Sequence, residues 1–256
     1  MKDPHTFWFT PPKKLILKEK EVHVWRADLN INQQVLKKLQ ENLGKDERER
    51  ADRFHFVEDK NHFIAARGLL RLIVGIYLET DPRWLVFHYN KHGKPRIAAD
   101  SSSESMNFNL SHSHGFALYA FTKKHDIGID IEQIRSNIEF EKIAKRFFSK
   151  NEFETLISLP LEIRIKGFFN CWTRKEAYIK AIGEGLSIPL NQFDVTLLPG
   201  ETAKILQIWG NPDEAAHWSL YEISPTPGYV GALAVKGHNF GIKYLNWNET
   251  LLELGY

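Results

Sequence analysis

Trp172-Thr-Arg-Lys-Glu-Ala-Tyr-Ile-Lys180, together with Gly128-Ile-Asp-Ile-Glu132 upstream, carries the most informative chemistry in this chain. The first stretch has the spacing of a helix and the second the alternation of a half-buried strand. On a strand, residues two apart share a face, so Asp130 and Glu132 project together with Cα atoms about 7 Å apart. On a helix, residues four apart are neighbours, so Glu176 and Lys180 lie on one stripe, roughly 6 Å apart. If that strand packs against that helix, three carboxylates and an ammonium converge. Such a set suits a hard divalent cation holding a phosphate ester, with the lysine beside it. Each half also has an ordinary reading: an acid pair on the wet face of an edge strand, and a Glu–Lys pair that merely stabilises a helix surface.

Working outward, a helix is expected over Phe168 to Ile182, stopped by Gly183 and Gly185. Ile138 to Phe148 reads as helix, and Ser149-Lys-Asn-Glu152 as a capping box opening the next one. Strands are expected at Phe193–Leu198, Lys204–Trp209, His217–Ile223 and Tyr229–Val235. Nearer the N-terminus, a proline-rich, basic arm leads into a strand at Val22–Trp25. Ile31–Leu43 reads as a helix ended by Gly44, and one long helix is expected over Asp46–Leu78. Trp84–Phe87 reads as a strand, His92-Gly-Lys-Pro95 as a turn and Ser101–Ser105 as a polar loop. Asn107–Leu110 and Phe116–Phe121 read as strands flanking the turn Ser111-His-Ser-His-Gly115, and Ile127–Ile131 as a further strand. Arg53-Phe-His-Phe56, ahead of a helix ending near Gly75, echoes Arg146-Phe-Phe-Ser149, ahead of one ending near Gly183. Strands follow in both cases. Two similar lobes meeting near residues 124–128, in an α+β chain, would explain the echo.

Composition bounds the function. Apolar residues make up 43% and charged residues 26% of 256, which is ordinary for a water-soluble fold with a sizeable core. Lys and Arg exceed Asp and Glu by only two, so bulk charge gives no argument for nucleic acid. The single Cys171 excludes an internal disulfide and a four-cysteine zinc site. The N-terminus lacks the apolar core of a signal peptide, and the run Leu69–Leu78 is interrupted by Arg71 and too short for a bilayer. Cytoplasm is therefore the expected compartment, with no membrane partner.

Ser111-His112-Ser113-His114 admits several chemistries: a nucleophile with a base, a zinc pair, an anion contact or a solvated turn. No third zinc ligand stands at a recognisable spacing, and no Gly-x-Ser-x-Gly elbow supports a nucleophile. A hydroxyl, an imidazole and turn amides suit a phosphate better. In His92-Gly93-Lys94-Pro95, the glycine permits close backbone approach to a ligand and the proline fixes the turn. Arg48, Arg50 and Arg53 are interleaved with Glu47, Glu49 and Asp52, as on a solvated helix face, although one arginine is free to hold a phosphate.

In order along the chain, His-Gly-Lys-Pro, Phe-Asn-Leu-Ser-His, Gly-Ile-Asp-Ile-Glu, Arg-Phe-Phe-Ser-Lys-Asn-Glu and Trp-Thr-Arg-Lys-Glu-Ala-Tyr-Ile-Lys resemble the 4′-phosphopantetheinyl transferases. The likeness runs from about Glu47 to Asp194 and is to the longer, two-lobed surfactin-synthetase-activating type. It implies two α/β lobes related by a pseudo-two-fold axis. Residues 1–125 would form the lobe that meets the adenine and 3′-phosphate of coenzyme A, and 126–256 the lobe with the metal-binding carboxylates and catalytic helix. Phosphopantetheine would pass from coenzyme A to a serine of an apo acyl or peptidyl carrier protein, releasing adenosine 3′,5′-bisphosphate. The resemblance assigns Mg²⁺, with Mn²⁺ as a substitute, to Asp130, Glu132 and Glu176. Glu176 becomes the base, directly or through a metal-bound water, and Lys180 neutralises phosphate charge; Asp130 completes the catalytic group. Arg50, Gly93, Lys94, Pro95, Ser111, His112 and Lys180 become coenzyme A contacts, with Arg67 assisting. Glu47 is a departure, because some relatives have lysine there. A monomer is implied.

Two other classes fit part of this pattern. A metal-dependent phosphodiesterase or nuclease could use the same acidic trio, against which stands the lack of a broad basic surface. A non-catalytic scaffold retaining a degenerate site is the other, against which stands the intact set Asp130, Glu132, Glu176 and Lys180.

Overall fold

One order of elements occurs twice among the described residues: a strand, three helices, a short hairpin and two longer strands. The first pass runs β1 (Glu21–Asp28), α1 (Gln33–Glu41), α2 (Lys45–Ala51), α3 (Val57–Leu78), β2 (Phe87–Tyr89), β3 (Pro95–Ile97), β4 (Met106–Ser113) and β5 (Phe116–Lys123). The second runs β6 (Ile127–Gln133), α4 (Phe140–Phe147), α5 (Lys150–Ser158), α6 (Leu161–Ile182), β7 (Phe193–Val195), β8 (Ile205–Ile208), β9 (Trp218–Ile223) and β10 (Tyr229–Lys236). A last strand, β11 (Gly241–Asn246), follows. The computed structural model describes residues 7–12, 14–97, 106–185 and 188–253, so the expected loop at Ser101–Ser105 lies outside the described residues.

The sheets repeat the same order. β1 pairs antiparallel with β5 and β5 with β4, while β6 pairs antiparallel with β10 and β10 with β9. β11 crosses back to run parallel beside β1, so the C-terminal segment extends the first sheet. Each half has its own core, one around Trp25, Leu39, Leu69 and Ile73, the other around Phe168, Tyr178, Phe193 and Ala232. A third cluster joins them: Val22, Val24, Leu118 and Ala120 of the first sheet meet Ile129, Ile131, Leu233 and Val235 of the second. Alternation explains this, because strands covered by helices on one face and by the other sheet on the opposite face must be apolar on both.

Several expected boundaries move. The long helix expected over Asp46–Leu78 is two helices, broken between α2 and α3, where Phe56 is extended at φ −95°, ψ 136°. The break folds α2 back so that buried Glu47 reaches Arg67 and Arg71 of α3. Gly44 does not simply end a helix: it is the N-cap of α2, and its amide donates to Glu47 Oε2 at 3.0 Å. The strand expected at Trp84–Phe87 begins only at Phe87, behind a 3₁₀ turn at Pro82–Trp84. The expected start of α6 at Phe168 moves back to Leu161, where Pro160 occupies the N-cap, a position that needs no amide donor. Ser111, His112 and Ser113 lie within β4, and only His114 and Gly115, both at positive φ, make the turn. The capping box at Ser149 and Glu152 is present as expected. The repeat is real but the sequence echo was one helix out of register: Arg53–Phe56 precedes α3, whereas Arg146–Ser149 precedes α5.

Candidate active site at the lobe interface

Gly128 brings the site together. A Cβ there would fall on Ala177 O and Ala181 N, so only glycine lets the backbone of α6 rest on β6. Two residues along, Asp130 is 3% exposed and faces α6. Its Oδ1 accepts from Lys180 Nζ at 2.6 Å and from Ser111 Oγ of β4 at 2.9 Å. Lys180 Nζ also donates to Ser111 Oγ at 2.8 Å, closing a three-membered ring of contacts. Strand, helix and the other lobe's β4 therefore meet on one carboxylate.

Period-two spacing along β4 does the rest. Asn109 Oδ1 accepts from Ile129 N at 2.9 Å, and Ser113 Oγ donates to Glu132 at 2.8 Å. With Ser111 between them, alternate residues of β4 bond across the lobe boundary to β6. The expectation named Ser111 but missed Asn109 and Ser113. The polar period Asn107, Asn109, Ser111, Ser113 was the available signal, hidden by reading 111–115 as a turn. Ser111 is committed to Asp130 and Lys180, and its hydroxyl already donates to the carboxylate.

Glu176 and Glu132 are half-buried, and both are held above their ordinary value of 4.5. Desolvation is the main cause in each case, followed by the charge of Asp130; Glu132 adds to the effect on Glu176, and Lys180 opposes it. The three carboxylates therefore share one electrostatic neighbourhood. Among the described residues, no three metal-ligating side chains stand close enough to hold an ion between them. Two features of the set still fit a hard cation. Asp130 Oδ2 is buried with no hydrogen-bond partner, and the carboxylates repel one another, offset by Lys180 and, at Glu132, by Arg135. Mg²⁺ takes one or two carboxylates together with substrate phosphates and waters, so a closed protein cage is not what it requires.

Beside this cluster opens a cavity of about 510 Å³, lined from both lobes. The expected contacts Arg50, Gly93, Lys94, Pro95, Ser111, His112 and Lys180 all line it, as do Arg67 and the expected base Glu176. Their side chains are not equally free. Arg50 is exposed, lies over the Phe63 ring at 5.3 Å and makes no ion pair among the described residues. Arg67 is engaged by Glu47 Oε1 at 2.8 Å and by Tyr89 Oη. That pairing accounts for Glu47 as a departure, because the carboxylate is 2% exposed and belongs to the core of the lobe. Lys94 Nζ donates to Ile127 O at 3.0 Å and Ala181 O at 2.9 Å, and burial holds its pKa down at about 8. The His112 imidazole is held below its ordinary value, first by desolvation and then by the charges of Lys180, His62, Arg50 and Arg67. The wall around His112 is therefore cationic, and Glu176 brings a carboxylate to the same lining, a combination that suits an anionic ligand. Arg174 and Lys175, inside the quoted helix, face away: Arg174 bonds Thr196 O and Glu222, and Lys175 bonds Glu152 and Leu190 O.

Comparison with known proteins agrees with the geometry. Residues 126–234 match the family described as the 4′-phosphopantetheinyl transferase superfamily, and residues 25–124 match the family 4′-phosphopantetheinyl transferase, N-terminal. The chain is 40% identical over 243 residues to the 4′-phosphopantetheinyl transferase HetI of Nostoc sp., spanning 95% of this chain and 99% of that protein. It is 33% identical over 227 residues to the 4′-phosphopantetheinyl transferase Sfp of Bacillus subtilis, spanning 88% and 96%. A solved holo-[acyl-carrier-protein] synthase from Thermotoga maritima matches with a TM-score of 0.35 and 17% identity, over 44% of this chain and 64% of that one.

Proposed function

The chain belongs to the 4′-phosphopantetheinyl transferases, and from that premise we propose that it moves the phosphopantetheine arm of coenzyme A onto a serine hydroxyl of an apo acyl or peptidyl carrier protein. The carrying observation is the ring formed by Asp130, Lys180 and Ser111 at the edge of a two-lobed, cation-lined cavity, with Glu176 one helical turn from Lys180. Asp130, Glu132 and Glu176 are the carboxylates that would supply the one or two protein ligands of a divalent cation, Mg²⁺ or in its place Mn²⁺, with phosphates and waters completing its shell. When bound, the cation supplies charge neutralisation to the diphosphate.

The protein's own groups do the remainder. The Gly93–Pro95 turn, His112 and Arg50 line the adenine and 3′-phosphate side, positioning the donor. The serine oxygen forms a bond to the phosphorus that carries pantetheine, and the bond from that phosphorus to the bridging diphosphate oxygen breaks. The electron pair leaves with adenosine 3′,5′-bisphosphate, and the serine proton passes to Glu176. A raised pKa suits a carboxylate to that task, because it moves the base nearer the operating pH. Lys180 offsets charge that develops on the leaving oxygen, the main lever available in phosphoryl transfer. Both walls of the site come from one chain, which supports action as a monomer. Buried, unpaired Cys171 is compatible with a cytoplasmic setting, and no helix of the described residues is long and apolar enough to cross a membrane.

The test is labelling of several apo carriers with a fluorescent coenzyme A analogue, read by gel and by mass. Wild type should add one phosphopantetheine to a serine, and Glu176→Gln should lose about a hundredfold or more of the rate while remaining folded. Full-rate labelling by the variant would remove Glu176 from the chemistry. Hydrolysis of coenzyme A without a carrier would favour a phosphodiesterase.

A further inference from the structure

We propose that the turn at residues 90–95 is a latch between the lobes, and that Lys94 is a positioning residue holding the two site-bearing elements in register. The inference rests on the transferase reading above, but assigns this ammonium a different task from gripping a phosphate.

Lys94 comes from β2–β3 of the first lobe, yet both carbonyls that receive its ammonium belong to the second. Ile127 opens β6, three residues before Asp130. Ala181 is the residue after Lys180 on α6. One cation thus ties the start of the acidic strand to the end of the catalytic helix. The carbonyls near a helix C-terminus lack partners within the helix and carry its negative end, so an ammonium is the group that suits them. Asn90 adds a second tie, donating Nδ2 to Gly183 O at 2.6 Å. Its Oδ1 accepts the amides of His92 and Lys94 at 2.9 Å each and so fixes the turn that presents both contacts.

Close fit supports the same assignment. Gly183 caps α6 at φ 78°, and a Cβ there would stand 3.2 Å from Lys94 Cδ. A Cβ on Gly185 would meet His92 Nδ1 at 2.9 Å. The two glycines that stop the helix therefore also make the seat for the turn. Half-buried, with its pKa down at about 8, the ammonium is not a freely solvated group waiting for an anion.

Lys94→Met keeps the length and removes the donor. The expected results are three. In the protein without coenzyme A, amide hydrogen exchange across residues 179–185 should accelerate. Affinities for coenzyme A and for 3′-dephospho-coenzyme A, measured by calorimetry, should weaken by the same factor, leaving their ratio as in wild type. The transfer kcat should fall roughly tenfold to a hundredfold, as misplacement of reacting groups by about 1 Å does. Asn90→Ala, which removes the other tie, should reproduce the exchange effect. An affinity ratio that collapses in Lys94→Met would make Lys94 a ligand of the 3′-phosphate and overturn the latch. So would unchanged exchange in both variants, or a lower Tm with kcat intact in the folded enzyme. Failure of wild type to modify any carrier would instead count against the transferase reading and leave the exchange result to decide the latch by itself.

Discussion

The two lobes share a scaffold and differ in what they carry, which separates structure from function within a single chain. Val22 opposite Thr122 and Ile127 opposite Val235 set the same register in β1–β5 and β6–β10, and α3 and α6 are both 22 residues long, each closed by a left-handed cap at Glu79 or Gly183. On that register, Asp130 and Glu132 correspond to Trp25 and Ala27, and Glu176 and Lys180 to Leu72 and Ile76. All four counterparts are buried apolar residues. The acidic cluster belongs to one copy of the fold and not to the other. The helix–sheet gap differs too. α6 comes within 8 Å of β6 and β10, Cα to Cα, at many residue pairs, whereas α3 comes that close to β1 and β5 at few if any. Gly128 against Ala181 makes the close approach. Their counterparts His23 and Tyr77 fill the wider gap, with Tyr77 Oη accepting from Trp25 Nε1 at 3.0 Å and bonded to His23 Nδ1 at 2.6 Å.

Other polar groups are common to both lobes. Glu47 and Glu152 each cap the helix three residues before them and meet a buried cation at the same position of the long helix, Arg71 or Lys175. What both copies keep is scaffold, and the first way to break the comparison is to remove it. Glu47→Gln leaves Arg67 and Arg71, and Glu152→Gln leaves Lys175, buried without a counter-charge, and each variant should cost about 3–5 kcal/mol in chemical denaturation. The folded fraction of each should retain its transfer rate per molecule. A variant that is stable but inactive would move that glutamate into the site.

The gap itself is the next target. Gly128→Ala forces β6 away from α6 and should cost about 1–3 kcal/mol. Because Asp130 and Lys180 straddle that contact, kcat should also fall, by about a hundredfold. Tyr77→Phe, at the counterpart of Ala181, strips partners from His23 and Trp25 and should cost a similar 1–3 kcal/mol. Its transfer rate should be unchanged. Equal effects of the two variants on kcat would mean that helix–sheet spacing has no special role at the acidic site.

The sequence made the acidic half legible because its signals are local. Alternation exposes Asp130 and Glu132 on one face, i to i+4 spacing aligns Glu176 with Lys180, and a capping box announces α5. What it concealed is non-local. No local pattern announces that β11 returns to pair with β1, since a parallel neighbour is chosen by the sheet edge it finds. The Ser111–Ser113 end of the polar ladder of β4 read as a turn because serine and histidine are common in turns, and only β6 beside the strand gives Asn109 and Ser113 their partners. Lys94 looked available for an anion because a sequence cannot show that two carbonyls of another lobe already hold it. The repeat register was missed for a related reason: positions such as Trp25 and Asp130, or Leu72 and Glu176, are equivalent but chemically unlike, and the aromatic residues that did match are not equivalent.

The smallest effect tests the electrostatic side of the contrast. Glu132 and Glu176 have raised pKa values in the folded protein, so folding favours their protonated forms. Their contribution to stability is fully present below the unfolded value, near 4.5, and is lost as pH rises through the raised folded values. At neutral pH both charges therefore oppose folding, a burden that Leu72 and Ala27 do not impose on the other lobe. Glu176→Gln should accordingly raise Tm at pH 7 while abolishing rapid transfer, a stability gain taken from the active site. The gain should shrink as the pH is lowered and vanish below about pH 4.5, where the wild-type carboxyl is protonated in both states. Thermal melts of wild type and variant across that range measure the difference directly. A gain independent of pH would place its origin in packing, and the contrast between the lobes would then be one of shape alone.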